Sequence, residues 1–128
     1  MIQLGIDNTK RLYLIAGRSF AGDKGTTGSV EMPTTFGGVN LSAFDTGYVY
    51  IKYGEVYEQI ELAGLTGTQI ISFDDAIFAE AGTISIWAEL QDTNGDLVQK
   101  TSILNYIVEA AETYSAPAEA EPGAGGEE

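Results

Sequence analysis

The chain has 128 residues, 44% hydrophobic and 20% charged, the length of one domain that buries roughly two-thirds of its unfolded surface. Six Lys and Arg against 19 Asp and Glu leave a formal net charge of −13, which repels nucleic-acid phosphates and disfavours an anionic membrane surface. There is no Cys and no His, so disulfide scaffolds, Cys/His zinc sites, Cys nucleophiles and Ser-His-Asp triads are excluded.

The start, Met1-Ile2-Gln3-Leu4-Gly5-Ile6-Asp7, has no basic segment followed by an apolar run. No stretch approaches the ~18 apolar residues of a spanning helix, and the expected place of synthesis and release is the cytoplasm. The elements that follow are β in character. Ile2, Leu4 and Ile6 alternate with Gln3 and Gly5, and Leu12, Leu14 and Ala16 share one face of the next strand. Residues 17–47 are irregular and rich in Gly, and Pro33 limits them to an edge strand around Ser29 to Met32. Gly47 to Tyr53 is dense in β-formers. Gly54 turns the chain, and Val56 to Leu62 returns with Val56, Ile60 and Leu62 on one side.

Gln69 to Phe73 predicts a short apolar strand. Ser72-Phe73-Asp74-Asp75 is similar to a capping box, and Ala76 to Ala81 predicts one short helical turn that Gly82 stops. Phe73 and Ile77 would pack that turn across one end of the domain. Gly82 to Gln91 puts Ile84, Ile86, Ala88 and Leu90 on one face. Asn94-Gly95 predicts a hairpin turn, with a return strand from Leu97 to Val108. Regular strands with turn signals between them predict an all-β antiparallel sandwich over residues 1–112. Residues 113–128, dominated by Ala, Pro, Glu and Gly, predict a flexible acidic tail.

Charge is unevenly placed. Residues 1–24 hold four cations against two acids, for +2, and the rest holds two cations against 17 acids, for −15. The plain reading is a set of N-terminal strands lying against an acidic body. The sharper one is a dipolar domain that stacks head to tail on its own copies.

Four motifs invite a chemical reading and none sustains it. In Gly22-Asp23-Lys24-Gly25-Thr26-Thr27-Gly28 the Lys precedes a Gly, whereas a phosphate loop needs it after one. In Asp92-Thr93-Asn94-Gly95-Asp96 the Gly is fourth instead of sixth, and Ile103 stands where a calcium loop needs a bidentate Glu. Asp45-Thr46-Gly47 is the aspartic-protease triplet, but Tyr48 follows where that family has a small residue. Glu58, Glu61 and Glu89 supply carboxylates without picking out a glycosidase pair. No catalytic residue, cofactor or metal site is expected.

The aromatic residues carry more. By alternation, Tyr48 and Tyr50 share a face with Lys52, Tyr57 with Gln59 and Glu61, and Trp87 with Thr83, Ser85 and Glu89. If the aliphatic sides are buried, these four rings point outward and offer rigid area with polar tips for a protein interface or a sugar platform. For Trp87 the alternative is a place between the sheets, as in immunoglobulin-type sandwiches, and burial statistics weigh slightly towards it.

The order of a helical turn ending Ala81-Gly82, a long strand Thr83 to Leu90, the turn Asp92-Thr93-Asn94-Gly95 and a closing strand reaching Ile107-Val108-Glu109 resembles a phage pattern. It is similar to the N-terminal attachment domain of phage baseplate upper proteins and related tail-fibre proteins, over about residues 1–110 and most specifically 70–110. The resemblance implies an immunoglobulin-like sandwich that attaches to a virion. The stalk or receptor-binding region that follows in that family has no counterpart up to Glu128. The expectation is therefore a non-enzymatic virion protein, made in the host cytoplasm. It would be a head or tail decoration protein, or a fibre or baseplate adaptor, present in several copies and docked on other virion proteins. Tyr48, Tyr50, Tyr57 and Trp87 are its expected interface. The competing reading is a carbohydrate- or receptor-binding module that uses the same rings.

Overall fold

A computed structural model describes residues 1–112 and Tyr114. The expected tail, residues 113–128, otherwise lies outside the described residues. Twelve strands follow in order among those residues: β1 (Ile2–Ile6), β2 (Leu12–Ala16), β3 (Ser19–Phe20), β4 (Thr27–Glu31), β5 (Thr35–Phe36), β6 (Val39–Asn40), β7 (Thr46–Tyr53), β8 (Val56–Glu61), β9 (Thr68–Ser72), β10 (Gly82–Gln91), β11 (Val98–Lys100) and β12 (Leu104–Glu109). Two 3₁₀ turns, Leu41–Ala43 and Asp75–Phe78, are the helical elements among these residues. The fold is all-β with short helical turns, as its turn spacing predicts.

Two sheets face each other. One has the order β2-β1-β4-β9, the other β3-β12-β10-β7-β8 with β11 also on β10, and β5-β6 form a separate hairpin. Between them lies one apolar layer. Ile2, Leu4, Ile6, Val30 and Ile71 come from the smaller sheet, and Val49, Ile51, Ile84, Ile86, Ala88, Leu90 and Val108 from the larger, all buried. Each set repeats at every second residue because strand side chains alternate between faces.

Several expectations are corrected. The stretch Ser29 to Met32 was expected as an edge; instead β4 is an interior strand, parallel to β1 and antiparallel to β9. Pro33 does not forbid this because it stands past the last paired residue, Glu31. Gly28 takes part in the same packing. A Cβ there would lie 2.6 Å from the Phe73 ring, so only Gly admits that ring. A second parallel pair joins β3 to β12, so the sandwich is not wholly antiparallel.

Leu14 and Ala16 do not join the core. Leu14 is 41% exposed, because β2 ends its sheet and a register shift interrupts its pairing with β1. The helical turn is shorter than Ala76 to Ala81, and its cap is Asp74, not Ser72: the Asp74 carboxylate accepts the Ala76 N–H at 2.9 Å. Phe73, Ile77 and Phe78 are buried beneath it, and Phe73 meets Phe78 edge to face.

One side of the sandwich is laced shut. The Ser102 N–H donates to the Lys10 carbonyl at 2.8 Å, and the Leu12 N–H donates to Ser102 Oγ at 3.2 Å. The buried Ser19 and Tyr106 hydroxyls share a hydrogen bond of 2.9 Å, and Arg18 grips Glu109 through two bonds of 2.8 and 2.7 Å. That bidentate grip holds the Glu109 carboxyl below the usual carboxylate range. Lys10 and Arg11 sit in the β1–β2 turn, whereas Arg18 and Lys24 follow β2 at the other end of the sandwich. The N-terminal cations therefore form no single positive pole for head-to-tail stacking.

The expected return strand Leu97 to Val108 is split. β11 pairs with one part of β10 and β12 with another. At the break the Thr101 N–H donates to the Ala88 carbonyl, while Thr101 Oγ1 accepts the Ala88 N–H at 2.9 Å and donates to the Ser102 carbonyl at 2.8 Å. The side chain thus stands in for a missing ladder rung. Thr101→Val keeps the shape and orphans the buried Ala88 N–H. It is expected to destabilise the fold by about 1–3 kcal/mol in denaturant unfolding, with Thr101→Ser closer to wild type.

Candidate functional site

The parity that buries Val49, Ile51, Ile86 and Ala88 forces their neighbours to the outer face of the larger sheet. The register opposes Trp87 with Tyr50, Glu89 with Tyr48 and Ser85 with Lys52. On the other side of β7, Tyr48 opposes Glu61, Tyr50 opposes Gln59 and Lys52 opposes Tyr57. Three adjacent strands so bring all four expected residues together. Trp87 is not between the sheets: it is half-buried on the outside, because the inward positions of β10 are already taken by Ile84, Ile86, Ala88 and Leu90.

The rings touch in series. Tyr50 stacks on Trp87 with centroids 5.7 Å apart and planes 19° apart. Tyr48 lies 6.1 Å from Tyr50, and Tyr57 stands edge-on to Trp87 at 6.4 Å. Tyr57 is the most open, at 62% exposure. Polar neighbours hold the group in place: Gln59 Nε2 donates to the Tyr50 hydroxyl at 3.1 Å, and Lys52 Nζ sits 5.5 Å from the Tyr57 ring centre. Glu89 accepts from Gln91 Nε2 at 3.0 Å and faces Lys100 Nζ at 3.9 Å. The outcome is a pre-ordered aromatic platform rimmed by amide, ammonium and carboxylate groups.

The sequence reading missed one member. Because Thr101 aligns with Ala88 and Leu104 with Ile86, the extra residues Ser102 and Ile103 fall opposite Trp87. Ile103 is 62% exposed and extends the apolar strip. Its signal was hidden, because a bulge breaks the alternation that placed the other rings.

The motifs set aside above have structural work. Asp45 accepts both the N–H and the hydroxyl of Thr93 at 2.6 Å, and Asp92 accepts the Leu97 N–H at 3.2 Å, so both carboxylates tie turns. The Gly22–Gly28 loop spends amides on the protein itself: Gly22 donates to the Phe78 carbonyl and Gly25 to the Asp75 carboxylate. Among the described residues, no group of three or more acidic side chains gathers to hold a metal ion. A cleft of about 710 Å³ lies at one end of the sandwich between Met32, Leu41, Phe44 and Leu65 and has one carboxylate, Asp45, already engaged with Thr93.

No protein-family model matches the chain, and no curated protein sequence matches it.

At the hairpin end of β7 and β8, on the inner face opposite the rings, the Tyr53 hydroxyl donates to the Glu58 carboxylate at 2.7 Å. That bond, helped by burial, favours the neutral phenol and pushes its pKa up from 10.0 to about 12. A raised folded-state value stabilises the fold fully below about pH 10, and this is lost as the pH rises towards about 12. Tyr53→Phe is expected to show a smaller alkaline loss of stability across that window in pH-dependent unfolding. Tyr106, whose hydroxyl pKa burial also raises, adds to the loss in the same direction and is untouched by this variant.

Proposed function

We propose that this chain is a non-enzymatic structural protein of a phage virion that docks on other virion subunits through the outer face of its larger sheet. The observation that carries the reading is the contiguous cluster of Tyr48, Tyr50, Tyr57 and Trp87, ordered by its own contacts on the outer face, with Tyr57 exposed and the other three half-buried. Large, rigid rings with polar tips dominate protein interfaces because they bury much area at little entropy cost. The resemblance of residues 70–110 to phage attachment domains supplies the virion setting. In this reading the domain is present in several copies as a head or tail decoration protein or as a fibre or baseplate adaptor, and it catalyses nothing.

A second reading is a carbohydrate-binding module. The corner between Tyr57 and Trp87, with ring planes at 82°, favours it, since Gln59 and Glu89 stand beside a surface on which a sugar ring stacks.

Trp87 is the only Trp, so its fluorescence reports on this face alone. The chain is expected to copurify with virions and to cross-link from this face to capsid or tail subunits. Replacing both Tyr50 and Trp87 by Ala, which leaves the inner layer untouched, is expected to weaken that association by about 30-fold or more, on the order of 2 kcal/mol. Absence from purified particles, with a Trp87 emission shift on a glycan panel, would replace the first reading by the second. Absence from particles and a silent panel would remove both.

A further inference from the structure

The larger sheet ends in a strand that, among the described residues, is bonded on one side only: β8 pairs with β7 and with no described strand beyond it. The Leu62 N–H donates to the Gly47 carbonyl at 2.8 Å. In an antiparallel ladder the bonding direction then alternates, so Val56, Glu58 and Ile60 turn their main-chain groups to β7. Tyr57, Gln59 and Glu61 turn theirs to the open side. Six consecutive pairs without a register shift keep this edge straight, and it contains no Pro and no Lys of the kind that usually protects one.

What guards it is acid. Glu55 precedes the strand, and Glu58 and Glu61 lie in it. These charges repel acidic strands, a second copy of this chain at −13 included, and attract cationic ones. The two ends of the smaller sheet, β2 with Leu-Tyr-Leu-Ile-Ala and β9 with Thr-Gln-Ile-Ile-Ser, carry no charge to select a partner.

We propose that β8 receives an extended, basic segment of a partner protein as an added strand. Its main chain bonds to Tyr57, Gln59 and Glu61. Glu58 and Glu61 are three apart and so face opposite sides of the sheet. The incoming segment therefore presents two cations three residues apart, one to each side. On the outer side it widens the aromatic platform by a strand. The proposal uses the main chain of β8 and does not depend on what the rings bind.

The test is amide hydrogen exchange on the full chain. The probe is a short peptide of valine and threonine with two lysines three residues apart, compared with the same peptide carrying glutamates in their place. The lysine peptide is expected to slow exchange at Tyr57, Gln59 and Glu61 by about tenfold or more, and less at high salt. The glutamate peptide is expected to change nothing. Gln59→Pro removes one outward donor without touching the β7 ladder and abolishes the protection. Should that variant fold poorly, reversing both charges in E58K/E61K is expected to invert the preference between the peptides. Trp87→Ala is expected to keep the protection, which separates a failure here from a failure of the platform. Equal protection by both peptides, no protection by either, or protection without peptide that grows with protein concentration would overturn the proposal.

Discussion

The structure depends on the two-residue period of β10. Gly82–Gln91 is the longest strand and has neighbours on both sides, β7 on one and β11 and β12 on the other. Its inward residues seal the apolar layer and its outward residues carry Trp87. The two sets are locked together, because a shift by one residue would put Trp87 and Glu89 inside and Ile86 and Ala88 outside. The cost of burying Glu89 without a partner rules out that alternative. The register that holds the core therefore also builds the platform, and no separate device is needed to position the rings.

Strands with a regular period were legible in the chain itself. The inner faces of β1, β7 and β10 follow from alternation, and so does the outer grouping of Tyr48, Tyr50 and Tyr57. What could not be read were features decided by distant partners. Whether Val30 belongs to an edge or to the middle of a sheet is settled by β1 and β9 closing on it from both sides. Leu14 looks like a core residue locally, but it lies on an end strand with too little of the other sheet above it. Trp87 was ambiguous because aromatic bulk suits either face. The aliphatic run beside it decided the matter by filling the interior first.

Irregular positions escaped for a related reason. The bulge at Thr101 to Ile103 follows from no periodicity, since its purpose is to interrupt one. It lets a single return segment serve two stretches of β10 while Ser102 leaves the sheet to reach Lys10 and Leu12 in the other layer. The same residues lace one side of the sandwich, whereas β8 and β9, at the opposite ends of their sheets, each have a single strand neighbour among the described residues.

The parallel pairing of β3 with β12 has a consequence for biogenesis. Ser19 finds its neighbour only at Val108, so a strand made early waits for one made last. Contacts that close so long a loop are entropically slow to form. On the ribosome the first sheet can collect β1, β2, β4 and β9 while the second still lacks its outermost members. Until Glu109 has emerged, β10 presents a raw edge. A formal net charge of −13 sets copies of the chain to repel one another over this interval.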